Sequence, residues 1–137
     1  VGYLIDTNVL SELRKKQNAD ANVIEWFNGV DGAECYVSVL TLGEIFNGIQ
    51  RLREKNLVAA ESLNKWLEAL TQNFHDRVLP ITSDIALKWG EITAPVSLPV
   101  VDSLIASTAM VHDLTLVTRN IKDVEKTGAK LLNPFVK

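Results

Sequence analysis

The chain has 137 residues, 47% of them apolar, with seventeen acidic side chains against fourteen basic ones and a net charge of −3. That length supports one core burying roughly two thirds of the unfolded chain's surface, and predicts a single domain over 1–137. The acid excess excludes a uniformly basic surface that binds phosphate backbones through bulk charge. No apolar run approaches the roughly 20 residues of a membrane span, and the amino terminus reads as a strand rather than a leader, so the expectation is a cytoplasmic protein without a membrane partner.

In chain order, Tyr3, Leu4 and Ile5 form a brief apolar strand, and Asn8 is placed to cap a helix from Val9 to about Lys16. A second helix is expected over Ala21–Asn28, with Val23, Trp26 and Phe27 toward the core, broken by Gly29 and the Asp31-Gly32 pair. Residues 35–39 read as a strand. It contains Cys35, the one cysteine, whose apolar setting suits a buried small hydrophobe rather than a reactive thiol. With two histidines besides, the chain has neither a disulfide framework nor a clustered Cys/His zinc site. Leu42, Ile45, Phe46, Ile49 and Leu52 recur at helical spacing over 41–55, and Leu63, Trp66, Leu67 and Leu70 do so over 57–74. VLPI at 78–81 is a third strand. A helix over 83–93 stops ahead of Pro95, the APVSLP connector follows, and another helix runs over 100–112. LTLVT at 114–118 is the fourth strand, with a short fifth in AKLL at 129–132. Short apolar strands separated by helices predict an α/β protein: three α/β/α layers around a short-stranded, mainly parallel sheet.

In such sheets ligands bind beyond the carboxyl ends of the strands, so polar residues there carry the functional signal. Asp6 directly follows the first strand, and Glu44 follows the second within the opening turn of a helix. Asp102 opens the helix feeding the fourth strand, and Asn120 and Asp123 come just after that strand. Each has a structural alternative. Asp6 suits a helix N-terminus, Glu44 completes a capping box with Thr41 in T-L-G-E, and Asp102 suits the first turn after Pro99. Yet Ile105, Ala106 and Ala109 on the same helix put Asp102 at the edge of the core, where an acid needs a partner.

Carboxylates gathered without matching bases repel one another, and a divalent cation removes the conflict. An all-oxygen donor set favours magnesium, or manganese in its place. Such an ion activates water and offsets charge on a phosphate oxygen, making phosphodiester hydrolysis the natural chemistry. Rival chemistries lack their motifs. There is no GxSxG elbow, and GVDGAE has neither the lysine of a P-loop nor the spacing of a dinucleotide fingerprint.

Taken together, LIDTNVLSEL around Asp6, SVLTLGEIFNGI around Glu44, LPVVDSLIASTA around Asp102 and LTLVTRNIKDVEKTGAKLLNPF near the end resemble the PIN-domain family, and within it the VapC-type toxins of toxin–antitoxin pairs, over essentially the whole chain. The resemblance implies a magnesium-dependent endoribonuclease, commonly a homodimer, held in check by a cognate antitoxin whose tail fills the groove with basic side chains. It makes Asp6, Glu44 and Asp102 metal ligands, lets Thr7 orient the acids or contact a phosphate, and assigns Asn8 to the turn. At the fourth position some relatives carry an aspartate where this chain has Asn120, and others an acid at the place of Asp123. The expectation is that Asp123 assists through a bound water while Asn120 hydrogen-bonds at the site.

The implied reaction is attack of water on an RNA phosphodiester, leaving a 5′-phosphate and a 3′-hydroxyl. A nuclease for DNA or flaps and a catalytically silent binding module are the competing functions. Arg119 either grips a substrate phosphate or pairs with one of the acids; Ser103 is placed to bond Asp102 or a water; and Arg14, Lys15 and Arg119 are candidates for a basic rim that lets an acidic chain accept RNA. Trp26, Trp66 and Trp89 fall at helical core positions and read as packing.

Overall fold

A computed structural model of the protein describes residues 2–137. Its strands are β1 (Tyr3–Ile5), β2 (Cys35–Ser38), β3 (Val78–Leu79), β4 (Thr115–Val117) and β5 (Leu131–Leu132). The helices are α1 (Thr7–Leu13), α2 (Ala21–Asn28), α3 (Val39–Arg53), α4 (Leu57–Asn73), α5 (Ser83–Thr93), α6 (Val100–Val111) and α7 (Ile121–Val124). The strands form one sheet in the order β3-β2-β1-β4-β5, every neighbouring pair parallel.

Alternation along the strands sorts the core into two layers. Ile5, Cys35, Val37 and Val117 join Val9, Leu10, Val23, Ile45, Ile49, Leu70 and Phe74 on one face, beneath α1 to α4. Leu4 and Leu116 point the other way, into a smaller cluster with Ile105, Ala106, Ala109 and Val124 of α6 and α7. The connections explain the asymmetry. The chain moves outward from β1 to β3 and then returns past β1 to β4, so crossovers of one hand place the first helices on one face and the later ones on the other. Burying each of these Ile, Leu and Val side chains contributes roughly 1.5–3 kcal/mol relative to exposing it.

Several boundaries differ from expectation. The first helix begins at Thr7 rather than Val9 because Asp6, not Asn8, is its N-cap, its Oδ1 accepting the Thr7 N–H at 2.8 Å. α3 begins at Val39, capped by Ser38, whose hydroxyl accepts from the Leu40 N–H at 3.0 Å. Thr41 therefore lies inside the helix, fully buried and with its hydroxyl unpartnered, and the Thr41–Glu44 capping box does not form. The third strand keeps only Val78 and Leu79. Trp26 and Trp66 pack against the core, whereas Trp89 is half-buried and held by a hydrogen bond. Trp26 meets Tyr3 edge-on at 5.4 Å, Trp66 lies against the larger cluster, and Trp89 donates from Nε1 to Ser103 Oγ at 2.9 Å. Cys35 is fully buried, and burial pushes its thiol pKa up, as suits a packing residue.

Candidate metal centre

β1 and β4 are adjacent in the sheet, but the chain leaves β1 toward β2 and reaches β4 only after two further crossovers. That places the topological switch between them, with a crevice beyond their carboxyl ends. Asp6 directly follows β1 and Thr118 directly follows β4. Asp6 is only 7% exposed and both its oxygens are held: Oδ1 by the Thr7 N–H, Oδ2 by the Thr118 hydroxyl at 2.8 Å and, more weakly, by Asn8 Nδ2 at 3.4 Å. The Thr118 hydroxyl oxygen in turn accepts from Asn8 Nδ2 at 3.2 Å and from the Asn120 N–H at 3.0 Å. One donor and two acceptor positions are all a hydroxyl has, so Thr118 is saturated and fixes the turn after β4 against that after β1.

Glu44 is exposed on α3, and its Oε1 accepts from Thr7 Oγ1 at 2.7 Å, joining the end of β1 to α3. Asp102, half-buried in the first turn of α6, has a carboxyl pKa pushed up to about 6. Loss of hydration on burial is the main cause, followed by the negative charges of Asp6, Asp123 and Glu44. All four acids therefore act on one region. Among the described residues none of them forms an ion pair with a lysine, arginine or histidine.

A divalent cation fits this donor set on its chemistry: hard oxygens only, with negative charge left unmatched by protein bases. The acids form an open cluster. Among the described residues no three Asp, Glu, His or Cys side chains stand close enough to enclose an ion by themselves.

The other expected residues divide. Asp123 is exposed in α7 and contributes charge to the cluster. Asn120 takes part through its backbone, its N–H donating to Thr118 and its carbonyl accepting the Asp123 N–H at 3.2 Å, while its side chain makes no hydrogen bond among the described residues. Ser103 does not face Asp102. Its hydroxyl donates back to the Pro99 carbonyl at 2.7 Å and accepts from Trp89, tying α6 to α5. Sequence reasoning passed over Thr118. Its signal was a hydroxyl directly after the apolar pair Leu116-Val117, at the carboxyl end of the LTLVT strand.

Cleft size does not mark this region. A cleft of about 510 Å³ lies away from it, between α2 and the carboxyl-terminal segment, and its Glu25 and Lys137 pair with each other at 3.6 Å. Unpaired charge is the better guide.

Residues 3–129 match the family model described as PIN domain. Toxin FitB of Neisseria gonorrhoeae is 30% identical, across 96% of this chain and 97% of its own. A VapC ribonuclease of Sinorhizobium fredii is 26% identical, across 96% of each. Among solved structures, the crystal structure of FitAcB from Neisseria gonorrhoeae superposes with a TM-score of 0.88 at 27% identity, covering 98% of this chain and 99% of that one. By the matched model and the near full-length relatives, the chain belongs to the PIN-domain family, with toxins of the VapC type among its relatives.

Proposed function

We propose that the protein is a divalent-metal-dependent endoribonuclease, the toxin of a toxin–antitoxin pair, acting in the cytoplasm as a homodimer and inhibited by a cognate antitoxin. One observation carries the catalytic part: four carboxylates act on one crevice at the topological switch, and among the described residues none of them pairs with a protein cation. A carboxyl group pushed up to about 6 by burial first and by its acidic neighbours second is an unfavourable arrangement for the fold alone, and becomes favourable once a cation is bound. The relatives' names, a ribonuclease and a toxin, support the choice of RNA and of the biological role. A solved FitAB complex bound to an IR36 DNA fragment, 25% identical to this chain, supports a partner protein.

In this reading Asp6, Glu44, Asp102 and Asp123 hold magnesium, or manganese, the last through water. When bound, the ion lowers the pKa of a water and offsets charge developing on phosphate oxygens. The chain's own work is positional. Thr118, Asn8 and the Thr7 N–H hold Asp6 in one orientation, and the Thr7 hydroxyl holds Glu44. The reaction is hydrolysis: the water oxygen bonds to phosphorus, the bond to the 3′ oxygen breaks, and that oxygen leaves with a proton. Products carry a 5′-phosphate and a 3′-hydroxyl, and no 2′-hydroxyl nucleophile takes part.

The test is cleavage of defined RNA and DNA strands with magnesium and with EDTA, beside Asp6→Asn and Asp102→Asn. The expected result is magnesium-dependent cutting of RNA that both variants lose while remaining folded. Products ending in a 2′,3′-cyclic phosphate would overturn the mechanism. Preference for DNA would move the assignment to a DNA nuclease, and inertness toward both would leave a binding module.

A further inference from the structure

The basic residues near the site differ in how they are engaged. Arg14 is drawn away toward α4, donating to Ser62 at 3.2 Å with its guanidinium 5.9 Å from the Trp66 ring. Lys15 pairs with Glu12 at 3.0 Å. Glu12 is the acid on which Arg119 exerts its attraction, yet Lys15 and the Asp20 N–H already occupy its oxygens, and the Arg119 influence is the weakest on it. Arg119 itself, exposed in the turn after β4, makes no ion pair among the described residues. It does not fall onto the four acids of the metal centre, although its own backbone N–H donates to Asn8 at 3.1 Å, beside Asp6.

What holds it is an aromatic ring. The guanidinium carbon lies 4.5 Å from the centroid of Phe135. Phe135 is secured at both ends of its backbone unit: its N–H donates to Asn133 Oδ1 at 3.0 Å, and its carbonyl accepts from Asn22 Nδ2 of α2 at 2.9 Å. Its ring packs against the larger core cluster. The carboxyl-terminal segment thus carries a fixed aromatic face over which the guanidinium lies, and the guanidinium N–H groups make no hydrogen bond among the described residues. A guanidinium that stacks through its face keeps its in-plane donors for an oxyanion, and the stacking energy opposes its collapse onto carboxylates.

We propose that Arg119 is the phosphate clamp of this site, gripping a backbone phosphate of a single RNA strand next to the one cut, and that Phe135 is a positioning residue that keeps the guanidinium stacked and off the acidic cluster. The proposal rests on the RNA-cleaving reading for its substrate, and deepens it by dividing the rim: Arg119 engages the strand, whereas Arg14 and Lys15 serve the fold.

Two measurements separate the clamp from the reaction. Binding of a short fluorescein-labelled single-stranded RNA, read by anisotropy in EDTA across a series of salt concentrations, needs no hydrolysis; steady-state cleavage with magnesium reads KM against kcat. Arg119→Ala is expected to weaken binding roughly 10-fold, as loss of a charge-assisted contact does. It should also flatten the slope of log affinity against log salt by about 0.7, the value for one phosphate on a single strand. KM should rise with kcat nearly unchanged. Phe135→Leu, which keeps apolar bulk and removes the ring face, is expected to weaken binding about 3-fold, with Phe135→Trp restoring it. Arg119→Ala binding RNA with wild-type affinity and salt slope would overturn the clamp. A weakened Arg119→Ala beside a wild-type-like Phe135→Leu would overturn the positioning role. Wild-type protein that binds RNA in this salt-dependent way without cutting it would sink the nuclease reading and leave the clamp standing; wild-type protein that neither binds nor cuts would overturn both.

Discussion

The two ends of the parallel sheet treat their acids differently. At the amino ends of the strands a cleft of about 460 Å³ gathers Glu34, His112, Asp113 and Lys130 beside Tyr36 and Thr115. There Lys130 bonds Asp113 at 2.7 Å, and that bond lowers the Asp113 pKa. Nearby, Arg77 donates to the carbonyls of Gly32 and Cys35 at 2.7 and 2.6 Å. At the carboxyl ends Asp6, Glu44, Asp102 and Asp123 form no ion pair among the described residues, and the Asp102 pKa moves up instead of down. A neutralised acid is accounted for by the fold. An unneutralised group at the switch point is accounted for only by something that binds there.

Activity should separate the two ends most sharply. Asp6→Asn is expected to abolish RNA cleavage while leaving the circular-dichroism spectrum intact, because an amide keeps the size of the carboxylate and one acceptor oxygen but loses the charge and the second acceptor. Asp113→Ala, at the opposite end, is expected to leave cleavage unchanged. Equal loss in both variants would mean that the contrast between the ends carries no functional information.

Thr118→Val sharpens the contrast by changing no charge at all. It removes the hydroxyl that holds Asp6 Oδ2 and anchors Asn8 and the Asn120 N–H. Losses of about 10- to 100-fold are typical when a group orienting a metal ligand is removed. Thr118→Ser, keeping the hydroxyl, should recover most of the activity, and a Val variant as active as wild type would show that Asp6 needs no orientation.

How much of this was legible in the sequence depended on what each signal encodes. The strands and most helices declared themselves because their apolar periods are local, and the α/β class followed. Asp6, Glu44, Asp102 and Asp123 could be picked out because strand ends in a parallel sheet share one edge, so residues far apart in the chain are brought together by topology alone. The caps were less legible. Ser38 and Asp6 won over Thr41 and Asn8 because both helices start as soon as their strands end, and the sequence shows a polar residue at either place. Ser103 was misjudged because adjacency to Asp102 does not put two residues on one helix face. Thr118 and the Arg119–Phe135 stack depend on contacts across more than a dozen residues, which no local pattern reveals.

Magnesium should also be visible without any substrate. A ligand that binds only the folded chain stabilises it by about 2.7 kcal/mol at a hundred times its dissociation constant, which for a chain of this size is a rise of several degrees in Tm. The rise is expected in wild type and in Asp113→Ala, and should be largely lost in Asp6→Asn and Asp102→Asn. A shift that survives in the last two would place the ion elsewhere, the amino-terminal cleft included.

The smallest expected effect concerns pH, in metal-free protein. Asp102 has its folded pKa raised from 3.8 to about 6, so between those values the folded state holds a proton that the unfolded state has released. Stability attached to this group is therefore present at low pH and falls as pH rises through about 6. Since Asp102 is only half-buried, solvent screening reduces the full linkage value, and about 1 kcal/mol is the expected size. Asp102→Asn should remove that dependence, making the metal-free variant more stable than wild type at neutral pH, with the advantage shrinking toward pH 4. Denaturant midpoints in EDTA at a series of pH values give the comparison directly. An asparagine variant less stable than wild type at neutral pH would mean that the Asp102 carboxylate has a stabilising partner after all, and the two ends of the sheet would then differ less than their ion pairs indicate.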